Sequence, residues 1–227
     1  MALVILIRHG QTDENVSGKI SGQGAVPLNA RGQEQARLAA EVLAPLGVTH
    51  LLSSPVVRAR QTAEIIAQRL GKAVEDVPSL HEVDYGAWEG SFFQTQRSHP
   101  AAHAVFHDPI NAVFPDGESL LSVQRRGVEA VESARRRYPQ GVIAVVSHGD
   151  VIRTTMAHYL NMPFNDYRRL SLDNGALSVL ELHDDWVRVK AFNFVPQVGS
   201  LWLTSDFSAW QKIKQLVPAA NGAKVTG

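Results

Sequence analysis

The sequence predicts an α/β domain of three layers (α/β/α), with helices on both faces of a mainly parallel central sheet, and three observations carry that expectation. Residues 3–7 and 142–146 are short apolar runs rich in β-branched side chains and without polar alternation, the pattern of strands covered on both faces. Strand-like runs alternate with amphipathic helical ones, an order that calls for crossover connections and a parallel sheet. The composition, 44% apolar and 19% charged, is sufficient to bury a core.

The elements follow in chain order. The first strand, 3–7, runs into Arg8-His9-Gly10. Ala30–Leu43 reads as a helix with Ala36, Ala39, Ala40 and Leu43 on its apolar face. His50–Ser53 is a weaker strand, and Val57–Leu70 is a second helix with Ala59, Ala63, Ile66 and Leu70 facing inward. Residues 91–114 break the rhythm, scattering Phe92, Phe93, Phe106 and Phe114 among histidines and prolines. They read as an insertion over the carboxyl-end rim of the sheet, whose rings either wall a pocket or form a small core of their own. A helix over 119–137 starts after the turn-forming Pro115-Asp116-Gly117 and stops before Pro139. The strand 142–146 runs into Ser147-His148-Gly149, and Leu177–Leu182 with 186–192 form a hairpin around Asp184-Asp185. Beyond Gly199, Trp210, Ile213, Leu216 and Val217 suit one last helix, with 218–227 frayed. That stripe docks either on its own domain or on a second subunit, as a homodimer. The expectation is one domain over 1–227, with its insertion at about 91–116 and a C-terminal extension at about 199–227.

Charge and composition exclude several functions. Twenty-two Lys and Arg balance 22 Asp and Glu, so nine histidines are the only titratable surplus near neutrality. No global positive field exists to hold nucleic acid or an anionic membrane, and any anion site must be local. The absence of cysteine removes disulfides, thiolate metal sites and thiol nucleophiles. No apolar run approaches the ~18 residues of a bilayer span. The first run begins directly after Met1, with Arg8 behind it, the reverse of a secretory signal; a cytoplasmic location is expected.

The chemistry gathers at strand ends. In an open parallel sheet the carboxyl ends form the ligand rim, where helix N-termini favour anions. Arg8 and His9 leave the first strand there, His148 leaves another, and Arg58 follows Ser53-Ser54-Pro55 in the first turn of its helix. Arg60, two positions on, lies on a different helix face and is the rival cation. Two guanidiniums and two imidazoles in one place make a site for a tetrahedral anion. Neutral imidazole can also attack phosphorus, with arginines stabilising the equatorial oxygens of the transition state. A departing alkoxide needs a proton, and the stretch from Leu80 to Gly90 offers Glu82, Asp84 and Glu89 as donors. Gly10 and Gly149 allow close backbone approach, to phosphate or to neighbouring chain. His99, His103 and His107 have the i, i+4, i+8 spacing of a metal-binding helix face. Lacking cysteine, and with Asp108 the only acidic partner, they read instead as a solvated stripe, and no metal is expected. Arg153 reads as a helix-surface residue and Trp88 as packing.

Leu6-Ile7-Arg8-His9-Gly10-Gln11-Thr12-Asp13-Glu14-Asn15 resembles the signature of the histidine phosphatase superfamily, the phosphoglycerate mutase-like proteins. Four further segments agree in order: Pro27-Leu28 with Gly32 and Gln35-Ala36; Ser53-Ser54-Pro55 through Arg58, Ala59 and Gln61-Thr62-Ala63; Glu82 through Gly86 and Trp88-Glu89-Gly90; and Ser147-His148-Gly149. The resemblance spans roughly 3–195. It implies that His9 is the nucleophile that becomes phosphorylated, that Arg8, Arg58 and His148 hold the phosphoryl group, that Asn15 positions it, and that Glu82 is the acid and later the base. Ser21, Gly22 and Gly149 complete the expected phosphate-binding set. The reaction so implied needs no cofactor. One departure is Ala25, where relatives often carry aspartate; Ser21-Gly22 is similar to the mutase members.

The reading that follows is a phosphomonoester hydrolase acting on a small phosphorylated metabolite. One alternative is a phosphoglycerate-type mutase, which needs the same Arg8, His9, Arg58, Glu82 and His148. Mutase members usually carry Arg-His-Tyr-Gly after the acid, where this chain has Val83-Asp84-Tyr85-Gly86, and a more cationic insertion than one whose only permanent cation is Arg97. A second alternative is a phosphate-ester binding protein without turnover. The cation-poor, aromatic insertion favours a monophosphate of apolar or sugar character.

Overall fold

β1 (Ala2–Arg8) sits inside the sheet because all of its residues from Ala2 to Ile7 are buried on one face or the other. A computed structural model describes residues 1–197. The C-terminal extension at 199–227 and the helix expected there lie outside the described residues.

After β1 the chain makes α1 (Asp13–Ser17), opened by a capping box in which Thr12 Oγ1 accepts the Asn15 N–H and Asn15 Oδ1 accepts the Thr12 N–H. α2 (Ala30–Leu43) starts at Asn29, whose side chain accepts the Gly32 N–H. β2 (His50–Ser53), α3 (Val57–Leu70) and β3 (Val74–Asp76) follow. The insertion holds only two short helices, α4 (Phe93–Gln96) and α5 (Ala102–His107). α6 (Leu120–Arg137), capped by Ser119, leads to β4 (Val142–Ser147) and α7 (Gly149–Tyr159). A 3₁₀ turn at Phe164–Arg169 precedes β5 (Leu177–Leu182) and β6 (Val187–Phe194).

The sheet order is β3-β2-β4-β1-β5-β6. β3, β2, β4 and β1 pair in parallel, while β5 pairs antiparallel with β1 and β6 with β5. The crossovers from β1 to β2 and on to β3 move one way along the sheet and the return to β4 the other, so the right-handed rule for such connections places α2 and α3 over one face and α6 over the other. Ala2, Val4 and Leu6 of β1 accordingly pack with Ala130, Val131 and Ala134 of α6 and with Ile152 and Met156 of α7. The pleat sends Leu3, Ile5 and Ile7 to the opposite side.

The insertion divides its aromatic residues. Phe114 is buried with Trp88 and Tyr85, ring centroids 5.3 and 4.8 Å away, in a core shared with Val123 and Val151. Phe93 and Phe106 face the cleft described below, and Phe92 is exposed. The histidine stripe does not form one face. α5 begins at Ala102, so His99 stands outside it, its Nδ1 accepting the Ala101 N–H and its ring against Trp88. Met1–Pro196 forms one compact unit. Among the described residues no helix is long and apolar enough to cross a membrane.

Candidate active site

Strand register assembles the site. β1 and β4 pair Arg8 with Ser147, so the next residues, His9 and His148, leave the sheet side by side with ring centroids 5.1 Å apart. β2 pairs Ser53 with Val146, which sets Ser54 Oγ 2.7 Å from His148 Nε2. The turn after β1 locks onto α3: the Gly10 N–H donates to Thr62 Oγ1 at 3.0 Å, and Thr62 donates to the Arg58 carbonyl at 2.7 Å. Gly10 is required there, because a Cβ on it would stand 2.3 Å from the Gly32 carbonyl oxygen. Gly10→Ala is therefore expected to lower the free energy of unfolding by about 1–3 kcal/mol, read from urea denaturation; wild-type stability would show that the two turns can separate without loss.

His9 is buried with a defined proton. Its Nδ1 lies 2.7 Å from the Gly10 carbonyl, which only accepts, so Nδ1 carries the hydrogen and Nε2 presents its lone pair. Nε2 accepts from Arg58 Nε at 3.1 Å. Burial, then the charges of Arg58 and Arg8, push the His9 pKa well below 6.5, so the ring is neutral at physiological pH. His148 is pushed the same way, by burial first and then by Arg58. Ser54 Oγ, which accepts the Val56 N–H, lies 2.7 Å from His148 Nε2, and His148 Nδ1 is a buried atom without a partner among the described residues.

Backbone carbonyls aim Arg58. Its Nη2 donates to the Gly22 carbonyl at 2.7 Å and Nη1 to that of Gly24 at 3.3 Å. Gly22 has φ 48°, and a Cβ there would strike Glu89. Arg8 donates through Nη1 to the Leu172 carbonyl at 2.5 Å while its Nε is buried and unpaired. Ser21 Oγ is likewise buried and unpaired. Asn15 Oδ1 accepts from both Thr12 N and Asn174 Nδ2, so its own amide hydrogens are what it offers the cleft. α7 opens at Gly149 without a side-chain cap, leaving amides of its first turn at the same rim. Buried polar groups without partners are rare in folded proteins; two of these, on Arg8 and Ser21, belong to residues that line one cleft.

Three carboxyl groups were candidate acids, and the structure separates them. Asp84 accepts the Gly86 N–H in its own turn, and Glu89 accepts the Gln23 N–H to hold the loop that positions Arg58. Only Glu82 lines the cleft. Burial raises its pKa, the Asp150 carboxylate raises it further, and Arg58, the Val83 N–H and Arg8 offset only part of this. Burial alone would also raise Asp150, but Arg153, Arg168 and the hydrogen bonds of Tyr85 and Arg153 outweigh it and bring the pKa to about 2. One carboxyl is thus pushed toward its protonated form beside another held ionised, the division of roles that acid–base chemistry exploits.

The cleft, with a cavity volume of about 180 Å³, gathers Arg8, His9, Asn15, Ser21, Gly22, Arg58, Glu82 and Gly149, with His148 fully buried beside His9. Arg60 points away to Glu64 and Asp76. Arg153 departs from the sequence reading: it lines the cleft, because α7 starts at the rim and its Nη2 reaches back 2.5 Å to Asp150. Lys19, Tyr85, Asp150 and Arg168 line it as well and went unassigned in the sequence. Asp150, directly after Ser147-His148-Gly149, carried a positional signal; Arg168, in an irregular turn, carried none. Among the described residues no group of three or more His, Asp or Glu is arranged to hold a metal.

A family model described as Histidine phosphatase superfamily (branch 1) matches residues 4–195. The chain is 34% identical over 180 residues to a protein of Serratia proteamaculans (strain 568) named probable phosphoglycerate mutase GpmB, an alignment covering 78% of this chain and 84% of that one. Its fold is similar to a mycobacterial glucosyl-3-phosphoglycerate phosphatase, with TM-score 0.78 and 27% identity over 85% of this chain and 99% of that one. It is also similar to a phosphoserine phosphatase of Entamoeba histolytica, with TM-score 0.77 and 27% identity over 85% and 97% of the two chains.

Proposed function

The chain belongs to the histidine phosphatase superfamily, and from that premise we propose that it hydrolyses small phosphate monoesters through a phosphohistidine at His9. The observation that carries the proposal is the pairing, across one cleft, of a neutral imidazole whose Nε2 lone pair is free of a proton with a carboxyl group whose pKa is raised. In the first displacement Nε2 of His9 bonds to phosphorus, the ester P–O bond breaks, and Glu82 gives its proton to the departing oxygen. In the second, water bonds to phosphorus as Glu82 takes its proton. The N–P bond breaks, returning neutral His9, protonated Glu82 and inorganic phosphate. Arg8, Arg58, Asn15, Ser21, Gly22, His148 and the amides at Gly149 hold the phosphoryl oxygens.

The phosphatases among the similar structures support hydrolysis. The name of the Serratia relative favours a second reading, in which the phosphoryl group returns to another hydroxyl of the substrate. Rapid quenching with ³²P-labelled ester, with free phosphate and isomerised ester counted in the same samples, tests both. An acid-labile, alkali-stable phosphoprotein and one phosphate released per alcohol are expected, in EDTA as in its absence. Isomerised ester with negligible phosphate would replace hydrolase by mutase. No turnover of any ester would leave a binding protein.

A further inference from the structure

Five permanent cations line the cleft, more than a phosphate monoester can balance: Arg8, Lys19, Arg58, Arg153 and Arg168. Lys19 Nζ is 3.3 Å from Glu14, and Arg153 Nη2 is 2.5 Å from Asp150. Arg8 and Arg58 flank His9 and match the two charges of the ester. Arg168 is left over.

Its Nε and Nη2 are buried and have no hydrogen-bond partner among the described residues. These two N–H groups form the edge by which a guanidinium grips a carboxylate through parallel bonds. Elsewhere in this protein the same edge is used that way. Arg69 Nε and Nη2 reach the two oxygens of Glu41 at 2.7 and 3.1 Å, and Arg126 Nε and Nη2 reach those of Glu118 at 3.2 and 2.6 Å. Asp150, a carboxylate that feels the charge of Arg168, already accepts from Tyr85 and Arg153. The guanidinium is also fixed in place, its Cζ 5.3 Å from the ring centroids of both Phe106 and Tyr167. Phe106 comes from the insertion and Arg168 from the turn after α7, and both line the cleft that contains His9.

We propose that Arg168, braced by Phe106 and Tyr167, is a specificity-determining residue that binds a carboxylate on the leaving group, so that the preferred substrates are phosphate esters of small hydroxy acids. The proposal rests on the phosphoryl site at His9. It revises the expectation from the insertion, whose lack of cations pointed to an apolar or sugar leaving group: the cation arrives from a turn some sixty residues later.

O-phosphoserine and O-phosphoethanolamine differ only in the carboxylate and serve as matched probes. In the wild-type protein the ratio of their kcat/KM values is expected to exceed tenfold in favour of phosphoserine, and in Arg168→Gln to fall to about one. Arg168→Lys, which keeps the charge but loses the fork, falls between. Because both esters are measured on one preparation, any loss of folded protein cancels from the ratio. A wild-type ratio near one, or a preference that survives in Arg168→Gln, overturns the assignment. Calorimetric binding of the two esters to His9→Ala, with and without Arg168→Gln, reads the same preference without turnover; equal affinities in His9→Ala alone, or a preference that survives when Arg168→Gln is added, overturn it too. Failure of every ester to turn over, with the binding preference intact, would count against the hydrolase reading and leave the carboxylate subsite standing.

Discussion

Replacing His9 by alanine is expected to lower kcat by on the order of 10⁴-fold or more, the scale of loss when a nucleophile is removed, and to leave no acid-labile phosphate on the protein. The loss is large because nothing nearby can substitute. The chain has no cysteine. His148, 5.1 Å away between ring centroids, has its Nε2 engaged by Ser54. Direct attack by water would lack the covalent step that divides the displacement in two. Ester binding should survive, since Arg8 is aimed by the Leu172 carbonyl, and Arg58 keeps its bonds to the Gly22 and Gly24 carbonyls when the one from its Nε to the imidazole is lost. Rapid-quench labelling and equilibrium binding on the same preparation check both halves. Equal labelling of wild type and His9→Ala would remove His9 from the nucleophile's role, and loss of binding would show the imidazole to be part of the anion clamp.

The parts of this site that the sequence made legible are those attached to regular elements. Arg8-His9-Gly10 and Ser147-His148-Gly149 follow the two most apolar runs in the chain, and strand register alone brings them together. β3 was not foreseen, for a physical reason: it has three residues, pairs only with β2, and is nowhere buried, so neither hydrophobic run nor alternation marks it. The Phe residues of the insertion could not be sorted because wall and core use the same side chains. Burial of Phe114 and cleft exposure of Phe93 and Phe106 depend on how Trp88 and Tyr85 dock. Among Glu82, Asp84 and Glu89 the family resemblance had already singled out Glu82, but the physical reason for that choice lies in the loop's three-dimensional course. The last two are spent on Gly86 and Gln23 amides, roles set by turn geometry. Arg168 was invisible because an arginine in a turn reads as solvent-exposed; only Phe106, sixty-two positions earlier, turns it into a cleft residue.

Glu82→Gln is expected to lower kcat by about 10²–10⁴-fold on alkyl phosphates, the usual contribution of a general acid, and by much less on p-nitrophenyl phosphate, whose phenolate departs without a proton. The pH profile carries the same information. The proposed mechanism requires neutral His9, available above a pKa that burial and two arginines push below 6.5, and protonated Glu82, available below a pKa that burial and Asp150 raise above 4.5. The rate constant kcat/KM should therefore fall on the alkaline side as Glu82 ionises, and on the acid side only once His9 protonates. In Glu82→Gln the alkaline limb due to the acid disappears; the substrate's own ionisation, common to both proteins, remains as the reference. Asp150→Asn moves that limb the other way from burial: removing a negative charge that opposes ionisation, and freeing Arg153, both lower the Glu82 pKa, so the limb shifts to lower pH while Glu82 stays in place. An alkyl-to-aryl ratio of kcat unchanged in Glu82→Gln, or an alkaline limb that persists there, would assign the proton to another group in the cleft, with Tyr85 the next to replace.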